Sequence, residues 1–457
     1  MTEVNPDIFR AYDIRGDADR DLADDVCRAI GRAFGTVARR AGATSIALGR
    51  DARLSSPRIH AAARDGLVST GIEVVDVGVQ PTPVLYFAPH HFRLGGHMMI
   101  TGSHNPPGDN GFKLALASGP LYGDGLAALR AQIAAGDFDT GRGRAVDRDA
   151  LAPYIDACAR SLRLGPRRFG VVVDAGNGAG GPAALRLYRA LGFDPEPLYC
   201  EPDGHFPHHH PDPTVPDNLR DLCARVAATG AEVGIALDGD ADRVGVVDGT
   251  GRILWGDQLM ILFARAILRE RPGATFIAEV KCSQALFDEI EAAGGRAIMW
   301  KVGHSFIKAK MNEVSAALAG EMSGHMFFAD RYFGYDDGIY AGARLLELLS
   351  HSDVPLSELA AALPAAVNTP ELRIDCPDGD KFAVVSRAAT ILAGHPQVRR
   401  IVDVDGARAV FDGGWGLIRA SNTGPVLVLR CEAVDAERLA EIRAIVEDAV
   451  RAAREQV

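Results

Sequence analysis

The sequence predicts an α/β protein: three similar α/β domains with mixed or parallel sheets, then a C-terminal α+β domain, arranged around a central cleft. Three observations carry that prediction. One phrase recurs three times: apolar strand, polar loop, amphipathic helix, glycine, second strand. Each copy is followed by another apolar strand that runs into a loop of reactive residues. After Pro364 the pattern changes to alternating short strands and a closing helix near Ala436–Ala453.

The first copy is SIALGRDARLSSPRIHAAARDGLVSTGIEVVDVG, Ser45–Gly78. The second spans Phe169–Tyr199 and the third Thr275–Gly303. Their strands are unbroken apolar runs, which suits sheets covered on both faces. Their helices begin near Ser or Pro and end at Gly, so each copy reads as βαβ. Boundaries fall near Ala150, Arg252 and Pro364, in Gly-, Pro- or charge-rich stretches. That gives domains 1–150, 151–252, 253–364 and 365–457. A length of 457 residues alone suggests about three domains at roughly 150 residues each. The most apolar helical stretch, Gln258–Leu268, is short and carries Arg265, so it reads as a core helix rather than a membrane span.

Composition excludes several classes. Hydrophobic types make up 47% and charged types 24%, as in ordinary soluble chains. A net charge of −11 argues against a nucleic-acid partner, which needs a basic face. It leaves room for a small anion in a local basic pocket. The 7 cysteines are scattered and never spaced C-x-x-C, so neither a disulfide framework nor a zinc site reads out. MTEVNPDIFRAYDIRG is charged and lacks an apolar run of signal-peptide type. A cytoplasmic monomer with reduced thiols and no membrane partner is expected.

In open α/β sheets ligands sit at the carboxyl ends of strands. The three loops there are TGSHNPPGDNGFK (Thr101–Lys113), DGDADR (Asp238–Arg243) and GEMSGH (Gly320–His325). Three equivalent loops from three equivalent domains would face one shared cleft. Asp238, Asp240 and Asp242 crowd three carboxylates into one loop. Unit charges about 4 Å apart repel by ~1 kcal/mol in water and ~4 kcal/mol at an effective dielectric of 20, so a cation between them is expected. All-oxygen ligands favour Mg²⁺, with Mn²⁺ or Ca²⁺ as alternatives. An EF-hand is excluded, because its glycine and glutamate positions hold Arg243 and Gly249.

Ser103 stands beside His104, Asn105 and Lys113. A serine hydroxyl needs a base, a metal or a special attached group to be a useful nucleophile. The loop supplies no carboxylate for a Ser-His-Asp triad, and no G-x-S-x-G elbow is present. Next to a metal loop, phosphoryl transfer through Ser103 is the better reading. Arg419, Ser421, Asn422 and Thr423 form RASNTGP between two strands. A guanidinium fork with hydroxyls and backbone N–H groups makes a phosphate cradle.

Two further motifs read as structural. Gly176, Gly178 and Gly181 spell G-x-G-x-x-G after a strand, with Glu201 beyond. The same position in the other copies carries RDARLSSP and KCSQA, so this is one variant of a repeated βα turn rather than a dinucleotide site. His205, His208, His209 and His210 lie in PDGHFPHHHPDP, which reads as a Pro-rich structured linker.

FRAYDIRG (Phe9–Gly16), TGSHNP, DGDADR, GEMSGH and RASNTGP, in that order, resemble the α-D-phosphohexomutase superfamily, and most of all its bacterial phosphomannomutase/phosphoglucomutase group. The resemblance covers essentially the whole chain. It implies four domains around a cleft: catalytic phosphoserine, metal-binding, sugar-binding and phosphate-binding. It implies that Ser103 carries the phosphoryl group, with Asp238, Asp240, Asp242 and the Ser103 phosphate holding Mg²⁺. Glu321 and Ser323 resemble the pair that grips the sugar's 3- and 4-hydroxyls. His325, Lys113, His104, Arg15 and Arg243 would surround the transferring group, and Tyr12, Lys281 and His304 would touch substrate. Arg419, Ser421, Asn422 and Thr423 resemble the clamp on the phosphate that is not reacting. Gly424 and the Ala in DGDADR are small departures from relatives. The implied activity is reversible interconversion of hexose 1- and 6-phosphates, of mannose, glucose or both. A hexose 1,6-bisphosphate that turns in the cleft would be intermediate and activator. The alternatives are a phosphoglucosamine mutase and, in a different class, a metal-dependent sugar-phosphate phosphatase. The phosphatase would leave the Arg419 loop and the Glu321/Ser323 pair without a purpose.

Overall fold

The computed structural model describes residues 4–422 and 424–455. Its first three sheets share one wiring. Strand Ser45–Arg50 pairs in parallel with Glu73–Val79 on one side and Gly96–Ile100 on the other. Val171–Asp174 stands likewise between Glu196–Leu198 and Val233–Leu237. Thr275–Glu279 stands between Arg296–Trp300 and Leu318–Gly320. In each sheet the chain then returns antiparallel, as Asp109–Leu116, Val244–Asp248 and Met326–Phe328. The reactive loops are therefore the reversals between a parallel strand and its antiparallel neighbour. They lie at the carboxyl ends, as the repeats predict.

Local chemistry explains the repeated helices. Helix Gln284–Ala292 starts with Ser283 accepting a hydrogen bond from the Ala285 N–H, and helix Gly181–Ala190 carries Pro182 in its first turn. Both stop before a left-handed glycine, Gly294 and Gly192. The first-copy helix, Ser56–Val68, has its left-handed Gly71 one residue farther on. A single apolar core runs through the first three sheets, from Ala47 through Val173 and Phe276 to Leu363. The predicted core helix is Gly256–Glu270, with Leu259–Ala264 all buried.

The fourth sheet is entirely antiparallel and holds 6 strands. Helices Lys381–Ala393 and Ala436–Arg454 cover it around a separate core that includes Leu392, Ile418, Leu429 and Val446. Val280, Trp415 and Leu417 join this unit to the third sheet. The second sheet extends through Ile253–Leu254, which pairs with Val244–Asp248 just past Arg252. Among the described residues no helix is long and apolar enough to cross a membrane.

Candidate functional site

The loops of the first two sheets meet almost without space between them. A Cβ on Gly239 would lie 2.4 Å from the Ser103 carbonyl oxygen, and one on Gly178 would lie 2.7 Å from the Gly239 oxygen. The glycine fingerprint of the second repeat is thus occupied by packing against the neighbouring loop. Ser103 adopts a left-handed φ of 47°, a conformation that costs energy for a non-glycine residue and marks loops under functional constraint. Its hydroxyl donates to Asp238 Oδ2 at 2.6 Å, with His104 Nδ1 3.1 Å away. Burial, then the charges of Arg243 and Arg15, pushes the His104 pKa well below the usual histidine range. His104 is therefore a neutral imidazole beside the hydroxyl.

Asp238, Asp240 and Asp242 are fully buried, with carboxylate oxygens within 4.8 Å of one another. Lys113 Nζ donates to Asp240 Oδ2 at 2.7 Å and also to Asp242. Burial and the two neighbouring carboxylates drive the Asp238 pKa well up. Asp240 Oδ1 is buried with no hydrogen-bond partner. Lys113, His325 and Arg243 still leave Asp240 Oδ1 unmatched among the described residues, and a buried orphan oxygen needs a partner. This donor set, all oxygen with Ser103 Oγ on its rim, can hold a divalent metal ion.

The third loop closes over the second. Arg243 and His325 form an isolated antiparallel bridge, and Arg243 Nε lies 3.2 Å from His325 Nε2. His325 Nε2 lies 3.2 Å from Asp242 Oδ1, and its Nδ1 lies 2.5 Å from Glu321 Oε2. Burial lowers the His325 pKa, but Asp242 and then Glu321 outweigh it and raise it to about 9. Burial would raise Glu321, yet His325 and Lys281 hold it at about 2. Glu321 Oε1 accepts from the Gly303 N–H at 2.7 Å, and the Ser323 hydroxyl stands 3.4 Å from Oε2. Tyr12 meets His304 edge-on, 5.0 Å between ring centres. Lys281 pairs with Glu371 of the fourth domain at 2.9 Å.

Arg419 is buried, its Nε donating to Asp405 Oδ2 at 3.0 Å while Nη2 has no partner among the described residues. Asn422 Nδ2 donates to the Val302 carbonyl at 3.1 Å. Thr423 lies outside the described residues. Arg15 donates to Asn105 Oδ1 at 2.6 Å and to the Gly102 carbonyl at 3.2 Å.

One cleft of about 1030 Å³ is lined by Tyr12, Arg15, Ser103, His104, Lys113, Arg243, Lys281, His304, Glu321, Ser323, His325, Arg419, Ser421 and Asn422. The three aspartates are fully buried behind its lining, in contact with the lining residues Ser103, Lys113 and His325. Sequence motifs missed Arg53. Its guanidinium donates to the carbonyls of Ser103 (2.7 Å), Asn105 (2.5 Å), Pro106 (2.6 Å) and Asp109 (2.9 Å). It sits in the first copy's polar loop, where nothing in the pattern separates it from a surface arginine. The histidine-rich connection also reaches the site: His210 Nε2 bonds to the His104 carbonyl, and His209 to Asp174.

Comparison with known proteins follows this geometry closely. Residues 6–140, 152–251 and 255–367 match phosphoglucomutase/phosphomannomutase alpha/beta/alpha domains I, II and III. Residues 371–449 match the C-terminal domain of the same enzymes. A phosphomannomutase/phosphoglucomutase of Pseudomonas aeruginosa is 46% identical over 448 residues, covering 97% of this chain and 96% of the relative. A phosphoglucomutase of Neisseria gonorrhoeae is 46% identical over 435 residues, 95% and 94% of the two chains. The crystal structure of a phosphoglucomutase/phosphomannomutase family protein from Burkholderia thailandensis superposes with a TM-score of 0.94 at 44% identity, covering 99% and 98%.

Proposed function

From the premise that this chain belongs to the phosphoglucomutase/phosphomannomutase family, we propose how its cleft interconverts hexose 1-phosphates and hexose 6-phosphates. Ser103 carries the transferable phosphoryl group. The observation that carries this reading is the buried Ser103 hydroxyl, 2.6 Å from Asp238, in the same cleft as the open edge of Arg419.

Phosphoryl transfer needs positioning and charge neutralisation more than covalent help. Asp238, Asp240 and Asp242, with the Ser103 phosphate, would hold Mg²⁺, which would supply charge neutralisation at the transferring oxygens. Arg15, Arg243 and Lys113 surround the same volume with fixed positive charge. The bond from phosphorus to Ser103 Oγ breaks as sugar O6 attacks, and the O6 proton passes to a neighbouring base in the cleft. The product is a hexose 1,6-bisphosphate with a free serine. It turns end for end, Ser103 Oγ takes the phosphoryl group from O1, and hexose 6-phosphate leaves. Arg419, Ser421, Asn422 and Thr423 hold the phosphate that is not reacting in either orientation. Glu321 and Ser323 grip the 3- and 4-hydroxyls, which exchange places on rotation. A cytoplasmic monomer acting on free phosphosugars completes the reading.

The test is steady-state turnover of glucose 1-phosphate and mannose 1-phosphate with added Mg²⁺ and a trace of bisphosphate. Both should give the 6-phosphate, and excess chelator should abolish the rate until Mg²⁺ is restored. Release of inorganic phosphate in place of the 6-phosphate, or full activity in chelator with no bound metal, would refute it.

A further inference from the structure

Two consecutive peptides connect the phosphate-clamp residues to the sugar loop. The Val302 N–H donates to Asp405 Oδ2 at 3.0 Å, the same oxygen that receives Arg419 Nε at 3.0 Å. The Val302 carbonyl accepts from Asn422 Nδ2 at 3.1 Å. The next N–H, of Gly303, donates to Glu321 Oε1 at 2.7 Å. The turn is sterically committed: Gly303 has φ 129°, and a Cβ there would lie 3.0 Å from both the Phe306 and Tyr12 rings. The segment 302–303 thus has one face fixed by the fourth domain and the other by the sugar-reading carboxylate.

Asp405 is the hinge of this chain of contacts. Its side chain is 18% exposed, and that of Arg419 is 4% exposed. A guanidinium held at Nε keeps its terminal nitrogens available, and Nη2 here is buried and has no partner among the described residues. Such an arrangement fixes the plane of the fork before a phosphate arrives, which removes ordering cost at binding. A turning bisphosphate must meet its clamp and its sugar grip at one fixed separation, and a misplacement of about 1 Å is costly in such a site.

Building on the mutase reading above, we propose that Asp405 is a positioning residue: anchored on the Val302 N–H, it orients the Arg419 guanidinium toward the phosphate that is not reacting. Asp405 touches no substrate itself, so its effect passes through Arg419.

The test is a double-mutant cycle on glucose 6-phosphate binding by calorimetry, in a Ser103→Ala background where nothing turns over. Asp405→Ala should weaken binding at least tenfold, and Arg419→Ala by as much or more. The Arg419→Ala/Asp405→Ala pair should bind no worse than Arg419→Ala alone. Asp405→Asn keeps an acceptor oxygen without the charge, should fold as wild type, and should fall between. With Ser103 intact, Asp405→Ala should raise KM more than it lowers kcat. Unchanged affinity in Asp405→Ala, or losses that multiply in the pair, would overturn the proposal. Wild type that turns over neither sugar 1-phosphate refutes the mutase reading. Wild type that turns over while Asp405→Ala behaves identically refutes this proposal alone.

Discussion

The two ends of the cleft are built differently. At the Ser103 end, loops from the first two domains are locked by buried charge and backbone contact. Gly239 presses on the Ser103 carbonyl, Thr82 N–H donates to the Asp240 carbonyl at 2.8 Å, and Arg53 gathers four loop carbonyls. At the Arg419 end, the fourth domain has its own core and meets the third through a small apolar cluster and through Arg408, whose buried guanidinium donates to the Val280 and Cys282 carbonyls, while the residues nearest the clamp hang on single polar contacts. These include Asp405 to Val302, Asn422 to Val302 and Lys281 to Glu371. The contrast teaches where accuracy is needed. In-line transfer tolerates little displacement of the serine, so that end is rigid. On the proposed mechanism the clamp meets a phosphate on either end of a turning sugar, and it is the clamp residues, not the domain joint, that are held by single bonds.

Substitutions at each end should expose this difference. Ser103→Ala should lose essentially all turnover, because the loop's other hydroxyl, Thr101, accepts from the Ser103 N–H and does not line the cleft; steady-state kinetics with glucose 1-phosphate check this. Arg53→Ala should come next. It leaves the buried Ser103 carbonyl, three part-buried carbonyls and Asp51 without their cation, and breaking one side of a buried charged network costs about 3–5 kcal/mol. Denaturant unfolding should show that loss, and kcat should fall even under conditions where the variant is folded. Arg419→Ala should act mainly on KM, roughly tenfold or more, since it removes a handle instead of a reacting group. Glu321→Ala should damage glucose and mannose phosphates alike. The two sugars share the configuration of their 3- and 4-hydroxyls, so wild-type kcat/KM for them should lie within about 100-fold. A Glu321→Ala defect confined to one sugar would mean that another residue reads C2.

The smallest effect on turnover, none, is expected at Asp337. This carboxyl is buried under Tyr154, Tyr332 and the Tyr340 N–H, away from the cleft. Burial is the main cause that raises its pKa to about 7. A raised carboxyl holds its proton in the folded state while the unfolded chain ionises. Its contribution is therefore full below about pH 4 and is lost as pH rises to about 7, at about 1.4 kcal/mol per pH unit. Asp337→Asn should flatten that part of the stability profile, leaving the variant closer to or above wild type at pH 8 and unaltered in kcat. Parallel unfolding profiles for the two proteins would contradict this.

Much of this was legible in the sequence because repetition is a strong signal. Three copies of one βαβ phrase locate three loops, and reactive residues in equivalent positions direct attention to Ser103, the Asp238–Asp242 cluster and Glu321. What was not legible is the support. Within its own loop Arg53 pairs with Asp51, but its carbonyl acceptors lie some fifty residues away. Asp405 sits in an ordinary-looking turn, DVDGAR, and its role appears only once the fourth domain is set against Val302. The histidine run reads as a linker, and its bond to the His104 carbonyl depends on a fold-back that no local pattern encodes.

The central claim is that Ser103 is a phosphoryl carrier. Intact-mass and peptide mass analysis of the enzyme, before and after incubation with glucose 1,6-bisphosphate, tests it most directly. The account predicts one phosphoryl group on Ser103, gained from the bisphosphate and lost to hexose 1-phosphate during turnover. A fully active enzyme whose Ser103 carries no phosphate at any stage, or carries it elsewhere, would contradict it.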